Sequence, residues 1–147
     1  MNQGRIIVIT GSPGTGKTTT ASIVAKESDM DKSVHMHTDD FFHYLSKGAI
    51  PPHLPESNKQ NLVVIEAFLE AAKRYARGGY DVIVDGIVGP WFLEPWKALA
   101  QEDYEVHYIV LRASMEIRLR SKLKSVLIVH YLWCGIKKVD SLFSRIS

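Results

Sequence analysis

A short glycine-rich segment between an apolar run and a helical pattern is the feature that most constrains the fold. Residues Arg5–Thr10 are mostly apolar and β-branched, and the run ends at Gly11, which predicts a buried strand. Gly14 and Gly16 follow, and apolar residues in Thr18–Glu27 lie three or four apart, as on the covered side of a helix. The segment therefore predicts a strand, a tight loop and a helix in direct succession.

Short apolar runs continue to alternate with helical patterns along the chain. Further strands are predicted at Val34–Thr38, Asp81–Gly86 and Tyr104–Leu111, and helices at 57–77, Trp91–Gln101 and Ser114–Lys124. Apolar strands separated by helices indicate a parallel sheet covered on both faces. We therefore expect a three-layer α/β fold with a parallel sheet of four strands. Residues 125–134 are compatible with a helix or with a fifth strand.

The long predicted helix after residue 57 has a clear start and end. Ser57 and Gln60 form a capping-box pattern, in which Ser57 caps the helix and Gln60 reaches back. The apolar positions that follow have helical spacing, and the helix ends at Gly78-Gly79, where a left-handed backbone costs little. These apolar positions are Leu62, Ile65, Leu69, Ala72 and Ala76.

The glycine-rich loop matches the pattern G-x-x-x-x-G-K-[ST] in full. Its glycines let backbone N–H groups point inward, and the next helix adds a favourable N-terminal partial charge. Lys17 is suited to the β- and γ-phosphates and Thr18 to Mg²⁺, so the loop predicts binding of a nucleoside triphosphate with Mg²⁺. The sequence has no Asn-Lys-x-Asp pattern for reading guanine, which favours ATP, and GTP stays the alternative. We assign the nucleotide to Gly11, Ser12, Pro13, Gly14, Thr15, Gly16, Lys17, Thr18, Thr19 and Arg112.

Several further motifs accompany this loop in the same order and spacing as in a known family. They are GSPGTGKTT (11–19), HTDDFF (37–42), GGYDVIVDG (78–86) and HYIVLRAS (107–114). Over about residues 4–114 the sequence resembles the P-loop small-molecule kinases of the nucleoside-monophosphate-kinase fold. The likeness is strongest to the branch with chloramphenicol phosphotransferase, zeta-toxin-type kinases and gluconate-kinase-like proteins. It implies a P-loop NTPase fold and transfer of a phosphoryl group to a hydroxyl of a small molecule.

The resemblance also implies roles for residues at the carboxyl ends of the strands. Asp39 matches the family's base, and Asp40 is the alternate base, an acceptor contact or a helix cap. The alternative is that both carboxylates only cap a short helix starting at Phe41. Asp85 ends an apolar strand and matches an acid that binds Mg²⁺ through water or orients Thr18. In the family the segment after this strand often faces the acceptor, which implicates Gly86, Ile87, Val88 and Trp91. The remaining predicted acceptor contacts are Phe41 and His43.

Aromatic and histidine residues near these motifs carry weaker predictions. Phe41, Phe42, Tyr44, Trp91 and Trp96 line an acceptor pocket or pack in the core, and core packing is favoured for each. His35, His37, His43 and His53 lack a fixed metal-ligand spacing, so we expect no structural zinc site.

The last quarter of the chain departs from the family pattern. Residues 1–111 have 10 Lys and Arg against 14 Asp and Glu, whereas residues 112–147 have 8 against 2. Arg112, Arg118 and Arg120 match lid arginines, with Arg118 and Arg120 as catalytic candidates; a solvated basic face is the alternative. We treat 1–147 as one domain with an atypical basic segment at 112–147. That segment is either a compact lid or the product of a truncated or shifted reading frame.

Composition excludes several classes of protein. The single Cys134 excludes an intramolecular disulfide framework, and Val126–Cys134 is too short to span a membrane. The basic tail lacks an ordered basic–aromatic pattern and the body is acidic, so we do not expect a nucleic-acid partner. We expect a cytoplasmic protein acting on a small-molecule hydroxyl acceptor; the oligomeric state stays open.

Overall fold

The computed structural model describes residues 3–89, 92–113 and 126–132. Five strands form one sheet in the order β2-β3-β1-β4-β5. Their bounds are Ile6–Gly11 (β1), Ser33–His37 (β2), Asp81–Asp85 (β3), Val106–Ala113 (β4) and Val126–Leu132 (β5). The α-helices are Lys17–Lys26 (α1), Thr38–His43 (α2), Asn58–Arg77 (α3) and Glu94–Gln101 (α4), with a 3₁₀ turn at Pro55–Ser57.

Helices cover both faces of the sheet, as the sequence predicts. Alternate residues of β1 point to opposite faces, because side chains alternate along a strand. Ile6 and Val8 belong to a core completed by α3 and α4. Ile9 belongs to a second core completed by Ala21 and Ala25 of α1. The predicted three-layer α/β architecture is therefore confirmed.

Strands β1 to β4 are parallel, and β5 is antiparallel. The open alternative for residues 125–134 is thus decided in favour of a strand at Val126–Leu132. Val126 pairs with Ala113, the last residue of β4. The chain therefore returns along the sheet edge from the point where β4 ends, which gives antiparallel pairing. A parallel neighbour would require a crossover back to the opposite end of the sheet.

Two local predictions about α3 are wrong. Ser57 makes no capping bond to the helix; its hydroxyl donates to the carbonyl oxygens of Pro52 and Leu54. Gln60 instead pairs through its side-chain amide with the N–H and C=O of Ile50. The proline-rich loop before the helix has no regular backbone ladder, so it takes these side chains as hydrogen-bond partners.

Two further details of the helices differ from the prediction. Leu62, predicted on the covered side of α3, is 41% exposed, whereas Phe68 is fully buried. Helix α4 begins at Glu94, followed by Pro95 near its first position. Proline favours that position because it needs no helical N–H partner.

A partly buried ion pair links Arg5, directly before β1, to Asp81 at the start of β3, at the end of the sheet opposite the glycine-rich loop. The Arg5 guanidinium donates from Nε to Oδ1 of Asp81 at 3.1 Å and from Nη2 to Oδ2 at 2.8 Å. Ser28 donates a further bond to the same carboxylate at 2.6 Å. The Asp81 carboxylate, with Asp29, raises the pKa of Arg5 above its usual range, and Arg5 lowers the pKa of Asp29.

The substitution Asp81→Ala should strongly destabilise the protein. It leaves the partly buried Arg5 guanidinium with only the exposed Asp29 as a partner and removes the acceptor of the Ser28 hydroxyl. We expect this loss of hydrogen bonds to a charged group to lower the free energy of unfolding by about 2–3 kcal/mol. Urea denaturation followed by circular dichroism measures the change. The exposed Asp31 provides the control, since Asp31→Asn should change stability by less than about 0.5 kcal/mol. Equal losses of stability in the Asp81 and Asp31 variants would contradict a stabilising role for the Arg5–Asp81 ion pair.

Candidate nucleotide-binding and catalytic site

The loop between β1 and α1 has a backbone that only glycine adopts readily. Gly14 and Gly16 have φ values of 80° and 82°, in the left-handed region. A side chain on Gly11 would collide with the carbonyl oxygen of Leu111 on β4. Inside the loop, Thr15 donates from its hydroxyl to the carbonyl oxygen of Ser12 at 2.8 Å. The loop is therefore a compact turn held by its own hydrogen bonds.

Helix α1 begins at this loop without a side-chain cap. Gly16 occupies the N-cap position, and the first turn contains no acidic residue. The first N–H groups of a helix lack intrahelical partners and carry partial positive charge. The Lys17 ammonium lies over the loop and donates to Ser12 O at 3.2 Å. The loop and helix end together present donors and positive charge suited to phosphate.

The Asp85 carboxylate lies beside Thr18, as the sequence predicts for a strand-end acid. The Thr18 hydroxyl is 3.4 Å from Asp85 Oδ1. Asp85 is 5% exposed and pairs across the sheet with Ile9, two residues before the loop. The backbone pairing of β1 with β3 therefore brings together the two residues predicted to hold Mg²⁺.

Two histidines that the sequence analysis left unconnected also contact Asp85. His35 Nε2 hydrogen-bonds Asp85 Oδ2, and His37 Nδ1 is 3.1 Å from Oδ1 and 3.0 Å from Oδ2. Their rings lie 4.4 Å apart. The signal was present as the spacing His-x-His on a predicted strand, which places both rings on one face. What the sequence lacked was the pairing of β2 with β3.

Helix α2 begins immediately after β2, and its first turn carries Asp39 and Asp40. Both are exposed. The predicted alternative of two capping residues before a helix starting at Phe41 is wrong: the helix starts at Thr38 and His37 is its N-cap, without a side-chain bond. Both carboxylates thus lie within the first turn, which favours negative charge.

Close packing holds the start of α2 against the end of β3. Thr38 is buried, and a Cβ on Gly86 would overlap its hydroxyl. The next residues are fixed from β1 and β4: the Val88 N–H donates to Thr10 Oγ1 at 2.9 Å, and Tyr108 donates to Val88 O at 2.5 Å. Ile87, which lies between Gly86 and Val88, is 58% exposed. Within the described part of the segment predicted to face the acceptor, Ile87 therefore presents an exposed apolar side chain from an anchored backbone.

The aromatic residues divide between the core and the surface. Phe41 packs edge-on against Phe68, with ring centroids 5.0 Å apart, and Trp96 is fully buried against the same ring. Core packing thus accounts for both, as favoured from the sequence, and also for Phe42. Tyr44 is 68% exposed, so the favoured core packing is wrong for this residue.

Two of the remaining predicted site residues lie at the surface, and the others fall outside the described residues. His43 is exposed in the last turn of α2. Arg112 is exposed near the end of β4. Trp91, Arg118 and Arg120 fall outside the ranges described, and so does the predicted helix Ser114–Lys124; they stay predictions.

The loop, the strand order and the acid at the end of β3 define an α/β P-loop nucleotide-binding fold. The chain belongs to the family described as "AAA domain", which matches residues 7–124. No curated protein is a significant match. Within the described residues, none of the helices is long and apolar enough to cross a membrane.

Solved structures with a similar fold include chains of an RNA repair complex and an APS kinase. A chain of the Pnkp1/Rnl/Hen1 complex has a TM-score of 0.58 at 20% identity, over 85% of this chain and 42% of that one. A second structure of that RNA repair complex has a TM-score of 0.56 at 18% identity, over 85% and 40%. A mutant of the Mycobacterium tuberculosis APS kinase CysC has a TM-score of 0.51 at 20% identity, over 74% of this chain and 75% of that one. The chain thus spans less than half of the first two, and the likeness establishes a P-loop kinase-like fold; the particular kinase branch stays a prediction.

The substitution Gly86→Ala should separate α2 from the end of β3. Its methyl group would overlap Thr38, so we expect a loss of stability about 1–3 kcal/mol beyond any backbone effect. Gly48→Ala is a matched control, because Gly48 has a φ of 73° but open space around its Cβ position. Thermal unfolding of both variants makes the comparison. A Gly86 variant as stable as the Gly48 variant would contradict the close contact.

Proposed function

We propose that this protein is an ATP-dependent kinase that transfers the γ-phosphoryl group to a hydroxyl of a small molecule. The observation that carries the proposal is the position of Asp85. Its carboxylate lies 3.4 Å from the hydroxyl of Thr18, at the start of helix α1, which has no side-chain cap. This arrangement is suited to a divalent cation beside bound phosphates. The match to the AAA domain family supports nucleotide binding.

The residues of the loop fit Mg²⁺ and ATP. Glycine N–H groups, the α1 N-terminus and Lys17 supply donors for phosphate oxygens, and Thr18 with Asp85 supplies oxygen atoms for the cation or its water ligands. When bound, Mg·ATP provides the phosphoryl group and neutralises much of its charge. The chain's own residues bind the phosphates and orient them.

The acceptor side is assigned to the first turn of α2. Asp39 follows His37 by two residues, and His37 pairs in register with Asp85. The helix start is held against Gly86, so its exposed carboxylates stay near the cation site. In the proposed role Asp39 orients the acceptor hydroxyl and accepts its proton. Arg112, Arg118 and Arg120 are proposed to approach the phosphates from the lid, where positive charge stabilises transfer.

The substitution Lys17→Ala should abolish transfer. Removing its ammonium takes away charge needed by the transferring phosphoryl group, and we expect a fall of about 100-fold or more. The assay is ADP release across a panel of sugars, antibiotics, nucleotide-sugars, small alcohols and an oligonucleotide with a free 5′-hydroxyl. The exposed Lys47 gives the control Lys47→Ala, which should retain activity. ATP binding with no compound stimulating ADP release would favour a nucleotide-binding protein without phosphotransfer.

The substitution Asp39→Asn should separate binding from transfer. The amide keeps the size of the side chain but accepts no proton, so ATP affinity should persist while turnover falls about 100-fold or more. Calorimetry measures the first quantity and ADP release the second. Asp40→Asn and the double variant decide between the two carboxylates. Full transfer in all three variants would remove the base assignment.

A further inference from the structure

Two imidazole rings and one carboxylate converge at the edge of the sheet beside the phosphate loop. His35 and His37 are two residues apart on β2, so both rings lie on one face of this strand. His37 is paired in register with Asp85 on β3. Their ligand atoms, one from each residue, lie within 4.8 Å of one another.

This donor set is that of a transition-metal site. Zinc binds imidazole nitrogen and carboxylate oxygen at about 2.0–2.2 Å, which places ligand atoms about 3.4 Å apart in a tetrahedral site. His37 Nδ1 is already 3.0 Å from Asp85 Oδ2, and His35 Nε2 hydrogen-bonds the same oxygen. Small rotations of three side chains therefore open space for an ion between them. A neutral imidazole accepts the ion by moving its proton to the other ring nitrogen, without a net change in protonation.

We infer that His35, His37 and Asp85 bind a divalent transition-metal ion, with Zn²⁺ as the representative ion. Two nitrogen ligands favour zinc and related ions over Mg²⁺, which prefers oxygen. The His37 side chain is 36% exposed while that of Asp85 is 6% exposed, so an ion reaches the site from the His37 side. Three protein ligands leave a fourth position for water.

The site has a consequence for the proposed kinase. Asp85 is shared with the Mg²⁺ position assigned beside Thr18, so zinc held by the histidines draws this carboxylate away from Thr18. Zinc is therefore expected to weaken Mg·ATP binding in competition. This coupling rests on the proposed function, whereas metal binding itself needs no nucleotide and is tested without it.

The test measures binding of Zn²⁺ to the nucleotide-free protein by calorimetry, and of Co²⁺ by its visible absorption. A Cys134→Ser background removes the chain's single thiol, which would otherwise compete for zinc. We compare His35→Gln and His37→Gln with His53→Gln, a change at an exposed loop histidine. Circular dichroism in the presence of EDTA verifies that each variant is folded.

We expect one Zn²⁺ per chain in the parent. Each of the two β2 variants should weaken binding by more than about tenfold, because even outer-shell changes alter metal affinity about 10–100-fold. His53→Gln should bind as the parent does. Parent-like affinity in both β2 variants would overturn the site, and so would the absence of saturable binding in the parent.

A second variant keeps the test independent of folding defects. His37→Cys replaces the imidazole by another zinc ligand, so it should retain metal binding and give Co²⁺ a thiolate charge-transfer band. Absence of this band in a folded His37→Cys protein would contradict a metal at this position. Because none of these measurements includes ATP, their outcome is separate from that of the ADP-release assay.

Discussion

The backbone pairing of β1 with β3 on one side and β4 on the other is the constraint on which the rest of the structure depends. Parallel strands in register end at a common edge, so everything that follows a strand is delivered to that edge. Asp85 lies opposite Ile9, and Gly11 lies opposite Leu111. The close approach of β1 to β4 is also the reason that Gly11 has no room for a side chain.

Asp85 is where the layers of the site meet. It is nearly buried, yet its two oxygens face Thr18 from α1 and two histidines from β2. A buried carboxylate needs polar partners, since an unpaired charge in the interior costs several kcal/mol. The same partners that satisfy the carboxylate in the folded chain are also the groups able to hold a cation. Structural stability and proposed function therefore depend on one set of contacts.

Much of the fold was accessible from local pattern. The four parallel strands, the helix of α1 and the long helix α3 follow from apolar runs and helical spacing, and the structure confirms them. The wrong predictions concern side chains with more than one available hydrogen-bond partner and the residue at which a helix begins. Ser57 and Gln60 bond to the proline-rich loop rather than to the helix start, because that loop had unpaired backbone groups. Asp39 and Asp40 lie inside α2 because the helix begins as soon as β2 ends.

The phosphate loop could be recognised from the sequence alone, because its glycines, Lys17 and Thr18 lie within one short segment and the pattern involves no distant residue. The sequence also determined that Asp85 ends a buried strand. The residues that surround the Asp85 carboxylate became apparent only in the folded structure, because His35 and His37 precede Asp85 by about fifty positions in the chain. Strand order is a non-local property of the fold, and it places β2 beside β3. A pattern of single residues carries no record of which strands become neighbours.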